Sequence, residues 1–576
     1  MRLRITKSKN VKIYYVIKTI YINKKEKTIT VERLGTEEEV LKKSKGEDPV
    51  LWAKKYIAEL NRIEKEETQD ILICKSPVKQ IEKNNQNVFN CGYLFLEKIY
   101  YDLKIDEICK SISKRHKFEF DLDNILSRLI YGRIINPSSK LATTEDSKKF
   151  IEQPNFELQH VYRALEIICK ENDFIQSELY KNSSKIIERK KGILYYDCTN
   201  FFFEIEQEDE LRKYGPSKEH RPNPIVQMGL FMDADGLPLA FNINSGSTNE
   251  QQTLTPLEQT IFKDFGLSKV VICTDAGLSS NDNRKFNNIE DRAFITTQSI
   301  KKLKKFLMDW ALSPTDWRLI GSSEMYNIND IESDEKKIKD FKDKTFYKER
   351  WIKENGLEQR LIVTYSLKYK NYQRKIRNAQ IDRAQKALND ANFKLDKCRQ
   401  TDYKRFIKKT NVTKDGEVAD SKILTLDNSV IEKEEKFDGF YGVCTNLEDD
   451  VEDIIKVNHR RWEIEESFRI MKSEFKARPV YLTREDRIRA HFMTCYIALL
   501  IHRILEKKIE EKYTYEEIID TLREMLLVEE KNGNGYIPAY TRTDLTDELH
   551  DKFGFRTDFE ITSKNKMKKI LKNIRN

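Results

Sequence analysis

The pattern of apolar and polar positions changes period several times along the chain. Residues 11–35 alternate well enough for a hairpin or small sheet, with Asn23-Lys24-Lys25 at the turn and Gly35 at the end. Residues 50–75 are charged and helical in pattern. From Gly92 to about Lys190 the reading is mainly helical. Leu94, Ile99 and Leu103 form one apolar series; Ile125, Leu129, Ile130 and Ile134 form another, stopped near Pro137. At residue 193 strands take over. The segments 193–203, 225–232 and 237–243 are rich in aromatic and β-branched residues, and Asp233-Ala234-Asp235-Gly236 reads as the hairpin turn between the last two. A helix follows with Thr255 as N-cap, Pro256 at its first position, Leu257, Ile261 and Phe265 on one face, and Gly266 as stop. Residues 270–273 read as a short apolar strand, 281–289 as a polar helix and 293–296 as a further strand.

A meander of three strands followed by two strands reached through helices is the order of a ribonuclease-H-like α/β core. One more helix is expected to close such a core, and none with the right apolar face comes directly. Instead about 140 residues rich in Lys, Asp and Asn intervene, with strands of their own around 359–365, before a helical pattern resumes near Asp450. A structureless loop of that length is improbable on physical grounds, so the segment reads as a long mixed insertion between the last core strand and the final helix. The expected division is a β-containing region at 1–80, a helical domain suited to DNA binding or to packing at 81–190, and core at 191–300. A basic insertion at 301–445, core again at 446–510 and a helical basic tail at 511–576 complete it.

Composition narrows the class. The 576 residues are 39% apolar and 35% charged, enough apolar residues to bury several cores and too many for wholesale disorder. The opening MRLRITKSKN lacks the apolar run of a secretory signal, and the apolar stretch from His491 to Leu505 carries His491, His502 and Arg503 and reads as a core helix. No membrane association is expected, and the chain is expected in the cytoplasm, associated with the nucleoid. Nine dispersed Cys, with no CxxC pair, indicate free thiols, and seven dispersed His offer no zinc cluster. The net charge of +9 is mild, but residues 368–409 hold fourteen Lys and Arg against four Asp, and a second basic knot lies at 564–575. In that tail Met567, Ile570, Leu571 and Ile574 share a helical face. Localised positive charge is the footprint of a polyanion such as nucleic acid, the alternative being a solvated helix face.

Three acids stand out against this background. Asp197 sits inside an otherwise apolar or aromatic strand, where a lone charge is costly unless paired or metal-bound. Asp275 directly follows the 270–273 strand, at the carboxyl end where α/β sheets place ligands. In the proposed topology the two strands are neighbours, so the two carboxylates face each other. On the helix after residue 460, Ile464, Phe468, Met471 and Phe475 make a buried stripe. Arg461, Glu465 and Lys472 run along one flank with Arg469 and Lys476 beside them, Glu463 lies on the other flank, and Glu466 points to solvent. A single acid among four cations is poorly balanced as a salt-bridged helix face and suits a phosphodiester that meets a metal.

This segment resembles the Y-x2-R-x3-E-x6-K signature of the IS-four-like DDE transposases of bacterial insertion sequences, with Arg461, Glu465 and Lys472 in register. YYDCTNFFFE around Asp197 and VVICTDAGLSS around Asp275 are similar to the family's two Asp strands. Further similarity lies at residues 215–221, 437–446 and 477–492, so that the resemblance covers about residues 190–510. Asn458 stands where the signature has Tyr, a departure at the family's phosphate contact.

The resemblance implies that Asp197, Asp275 and Glu465 jointly hold two Mg2+ ions, with Mn2+ able to substitute, for cleavage of transposon ends in double-stranded DNA and strand transfer into target. It implies phosphate contacts from Arg461 and Lys472, with Arg469, Lys218 and Arg221 as further candidates. Coordinated cutting of two ends implies a homodimer on DNA. Two other functions share these residues: another ribonuclease-H-like nuclease, and an inactive, transposase-derived DNA-binding protein.

Overall fold

The computed structural model describes residues 1–8, 11–22, 25–44, 46–68, 77–78, 80–390, 393, 402–412, 421–530 and 535–575. The Asn23-Lys24 turn, the end of the expected helix at 69–75, Cys74 and Cys398, and Lys394, Lys397 and Arg399 of the basic block lie outside them. The chain divides into two compact units, residues 1–94 with 524–576, and residues 95–523.

In the first unit, strands Arg2–Ser8, Val11–Ile22 and Lys25–Thr36 form an antiparallel sheet. Tyr14, Val16 and Leu34 from the sheet pack on Val40, Ala53 and Ile57 from the helices that follow. A second small sheet joins Val88–Asn90 to Leu526–Glu529 and Tyr536–Pro538. The terminal helix Lys564–Arg575 buries Met567, Ile570 and Ile574 and turns its lysines outward, as the apolar spacing in the tail requires.

The second unit is mixed α/β, built on one large sheet. Its strands are β1 (Ile193–Phe202), β2 (Ile225–Asp233), β3 (Pro238–Ser245), β4 (Val271–Thr274), β5 (Ala293–Gln298), β6 (Trp317–Leu319), β7 (Met325–Tyr326), β8 (Phe346–Glu354), β9 (Leu357–Tyr365) and β10 (Phe440–Thr445). They lie in the order β7-β6-β8-β9-β10-β5-β4-β1-β2-β3. The meander β1-β2-β3 is antiparallel, whereas β4 and β5 run parallel to β1, so the first and fourth strands are neighbours as expected from sequence. The strands at 317–365 and 440–445 do not stand apart: β10 pairs with β5 and carries the rest of the segment onto the same sheet.

Helices cover both faces. The helix after β3, α1 (Leu254–Phe265), buries Leu257, Ile261 and Phe265 and stops at Gly266 in the left-handed region, as its pattern predicts. Its start is one correction: Thr253, not Thr255, is the N-cap position, and Pro256 sits inside the first turn. There a missing N–H costs nothing, because first-turn amides have no intrahelical acceptor. The Thr253 hydroxyl is taken instead by the Glu250 carbonyl at 2.7 Å. Within the 301–445 segment runs α2 (Leu367–Leu388), whose Ser366 cap accepts from the Tyr369 amide. On the other face lie α3 (Val451–His459) and α4 (Trp462–Arg469), followed by a π-helical turn at Ile470–Glu474 and by α5 (Glu485–Lys508). Helix α5 is long and apolar enough by length and composition to cross a membrane, which corrects the shorter apolar core expected at 491–505; its residues from Ile488 to Leu505 are almost all buried inside the unit.

A buried ion pair pins the meander. Arg189 Nε donates to Asp233 Oδ2 at 2.6 Å with both side chains fully buried, and Arg189 Nη2 donates to the Leu237 and Pro238 carbonyls. Asp233 Oδ1 in turn accepts from the Asp235 and Leu237 amides, closing the hairpin whose Gly236 takes a positive φ of 76°.

Candidate active site

The site starts from strand register. β1 and β4 pair in parallel up to Tyr195 opposite Cys273; Asp197 and Asp275 each lie two residues beyond that last pair, close enough for the Asp275 charge to act on Asp197. Alternation puts Asp197 on the face of Tyr195, whose hydroxyl donates to the Val457 carbonyl of α3 at 3.0 Å. The two acids therefore lie on the side of the sheet covered by α3 and α4.

Asp197 Oδ1 accepts from the Cys198 amide at 2.7 Å, and Asp275 Oδ1 accepts from the Leu278 amide at 2.9 Å. Burial pushes the Asp197 carboxyl up to about 6; the Lys218 ammonium pulls it back, and the neighbouring Asp275 charge pushes it further up. Lys218 is a cation close to Asp197. Its Nζ donates to the Cys198 carbonyl and lies 3.6 Å from Glu250 Oε1. Burial alone would lower this ammonium, but Asp197 first, then Glu250, hold it above its ordinary value.

The α4 segment brings the cations. Arg461 stands at the position before the helix without capping it, is mostly buried, and its charge is felt by Asp197 and by the Cys273 thiol. Lys472 lies in the π-helical turn, 3.5 Å from Glu219 Oε1 and 5.6 Å from the centre of the Phe201 ring. Burial, then the like charge of Lys218, push its ammonium down to about 8, while Asp197 pulls upward. Arg221 lies with its guanidinium 4.2 Å over the Phe202 ring and 3.8 Å from Glu219. Arg469 is instead paired with acids of its own helical segment, Glu474 at 3.0 Å and Glu466 at 3.8 Å.

Glu465 is placed differently from the two Asp. Its side chain is 63% exposed, with Oε1 4.0 Å from Arg461 Nη2, and it lines a cleft of about 650 Å3 together with Asn458, Trp462, Tyr369, Tyr372 and Tyr441. Among the described residues, no three His, Cys, Asp or Glu side chains converge closely enough to hold a metal ion. The structure thus brings together Asp197, Asp275, Lys218, Arg461 and Lys472, and leaves Glu465 at the cleft edge beside Arg461.

Ile464, Phe468, Met471 and Phe475 are all buried, as the helical wheel predicts. Glu466 is not a solvent residue: its Oε2 accepts from Arg503 Nη2 of α5 at 3.1 Å. That partner lies 37 positions away and leaves no local trace. Glu219 and Glu250, the acids near Lys472 and Lys218, were not expected either; Glu219 lies in a turn and Glu250 opens a short 3-10 helix, and only the tertiary fold decides what each meets.

A family model described as "Transposase DDE domain" matches residues 191–501, more than half of the chain. The chain belongs to this transposase family. The match runs from just before β1 into α5 and includes Asp197, Asp275 and Glu465. No curated protein matches. One similar solved structure is the piggyBac transposase synaptic complex with hairpin DNA, at 8% identity, covering 84% of this chain and 85% of that one with a TM-score of 0.32. That likeness is too loose to carry an inference about a DDE transposase of this kind.

Proposed function

We propose that this DDE transposase is of the IS-four-like kind, with a ribonuclease-H-like core, and that it cuts the inverted-repeat ends of an insertion sequence and joins them to target DNA. The observation that carries the reading is the nearness of Asp197 and Asp275, just past the last β1–β4 pair, on the sheet face covered by α4, with Arg461, Glu465 and Lys472 in the signature's spacing along α4 and the residues flanking it. Strand order supports the core assignment.

The residues fit a divalent cation. Two carboxylates side by side, one of them pushed up by burial and by the other, form an acid pair that a cation stabilises, and the donors are hard oxygens suited to Mg2+. Asp197 and Asp275, with Glu465, would hold two Mg2+ ions, and these supply the Lewis acidity that phosphoryl transfer needs.

The chain's own groups do the rest. Arg461 offers a planar fork to a backbone phosphate, and Lys472 a point charge on the same face. Glu465 Oε1 lies 4.0 Å from Arg461 Nη2, so a phosphate at that guanidinium would compete with this carboxylate. Lys218 neutralises the acids until the site is filled, and Arg221 adds charge at the loop before β2. The exposed cations of α2 add salt-dependent affinity for DNA. Two ends cut together imply two copies of the chain on DNA, where the nucleoid is the place of action.

The test is incubation of the full chain, with Mg2+, on duplex DNA carrying the inverted repeats that flank its coding region. Nicks at the repeat ends and joined products are expected. Cleavage without end preference or joining would favour a nuclease of the same core.

A further inference from the structure

A cavity of about 260 Å3 lies where the chain leaves the Lys472 turn, with Arg133, Ser138, Lys140, Lys476, Arg478 and His491 on its walls. Four of its lining residues are Lys or Arg, and none is Asp or Glu. Lys140 is 6% exposed, and its Nζ has no hydrogen-bond partner among the described residues. Arg133 is 4% exposed; its Nη1 donates to the Phe475 carbonyl at 3.0 Å and its Nη2 to the Ser138 carbonyl at 3.3 Å, so dipoles alone face its charge. His491 pairs its Nε2 with the Ala477 carbonyl at 3.1 Å. Burial, then Lys140 and Arg133, hold this imidazole well below its usual value, so it adds no charge.

Burial, then the like charge of Arg133, push the Lys140 ammonium down to about 7. Two buried basic groups with no acid among the lining residues are unstable as packing alone, because a desolvated cation needs a counter-charge or gives up its proton. The missing element has the sign of an anion and the size of the cavity. We propose that this cavity is an anion site that takes a phosphate group, with the Lys140 ammonium as its ligand and the Arg133 guanidinium as fixed charge behind it. The phosphate comes either from a DNA strand that continues past Lys472 or from free inorganic phosphate. Only the DNA source rests on the transposase reading.

Thermal melting of the full chain in phosphate, against chloride at matched ionic strength, tests the site itself without DNA or cleavage. Phosphate is expected to raise the wild-type Tm and to leave Lys140→Met unmoved, with the variant melting above wild type when phosphate is absent. The slope of log Kd against log salt for a DNA duplex then separates the sources. A slope shallower by roughly one in Lys140→Met assigns a DNA phosphate, and an unchanged slope, with the phosphate response present in wild type and lost in the variant, assigns the free anion. No rise of the wild-type Tm with phosphate, or an equal rise in Lys140→Met, overturns the proposal. The wild-type titration decides this even if the variant does not fold, and Lys140→Arg, which keeps the charge, is expected to keep the response.

Discussion

Asn458 Nδ2 donates to the Tyr441 hydroxyl at 3.0 Å, and that hydroxyl lies 2.7 Å from Thr297 Oγ1. A phenol from β10 thus stands against the position where the Y-R-E-K signature carries its own Tyr, on the wall of the cleft that holds Arg461 and Glu465. If this hydroxyl supplies the phosphate contact, Tyr441→Phe lowers strand cleavage roughly tenfold or more, the worth of one hydrogen bond to a charged group. Tm should fall as well, since the buried Asn458 Nδ2 loses its acceptor, a loss of about 1–3 kcal/mol. Single-turnover cleavage and a melting curve measure both, and normal cleavage would make the pair purely structural.

Glu219 holds both Lys472, at 3.5 Å, and Arg478. It occupies, with a carboxylate, cations that a DNA phosphate would use. Glu219→Gln is expected to tighten DNA binding several-fold at low salt and to steepen the salt slope by about one. Unchanged affinity in a salt titration would mean that DNA never reaches these cations.

The basic block divides in the structure. Arg377 is buried against Asp438 at 2.6 Å, and Arg405 pairs with Glu434 at 2.8 Å, so part of the excess charge is internal. Arg374, Lys375, Arg383 and Lys386 remain exposed on α2. Changing Lys375, Arg383 and Lys386 to Gln should make the slope of log Kd against log salt shallower by roughly 2–3. An unaltered slope would return this face to solvent.

How much of this was legible in the sequence follows from the range of each interaction. Asp197 and Asp275 were readable because a charge inside an apolar strand is conspicuous, and because a β-β-β-α-β order dictates which strands adjoin. The stripe of Ile464, Phe468, Met471 and Phe475 was readable from helical spacing. The partners were not: Glu466 with Arg503, Lys472 with Glu219 and Lys218 with Glu250 join segments through the tertiary fold alone. The merging of 317–365 with the core sheet rests on the pairing of β10 with both β5 and β9, which no local pattern announces. The π-helical turn at 470–474 was hidden too, since a wheel assumes one uniform period.

Glu258 gives the fold a pH dependence of its own. It is 1% exposed, Oε1 accepts from Asn287 Nδ2 at 2.8 Å, and burial pushes its carboxyl up to about 7. A carboxyl whose folded value lies above its unfolded one is protonated in the native state first. Its stabilising share is therefore complete below pH 4.5 and is lost as pH rises to about 7. Glu258→Gln should remove about 3 kcal/mol of this decline between those limits in denaturant titrations. An identical slope in the variant would show that other groups set it.

The buried Arg189–Asp233 pair anchors the meander that carries Asp197. Arg189→Met leaves a carboxylate uncompensated and is expected to cost about 3–5 kcal/mol in chemical denaturation. A loss under about 1 kcal/mol would mean that the Leu237 and Asp235 amides suffice to hold Asp233.

The most direct measurement is Mg2+-dependent nicking of a repeat-end duplex by wild type and by Asp197→Asn, Asp275→Asn and Glu465→Gln, with DNA affinity recorded alongside. Each variant is expected to lose nicking by three orders of magnitude or more, roughly 4 kcal/mol of transition-state stabilisation, and to bind DNA as wild type does. Normal nicking by any one of the three, Glu465→Gln above all, would contradict the joint role of these acids.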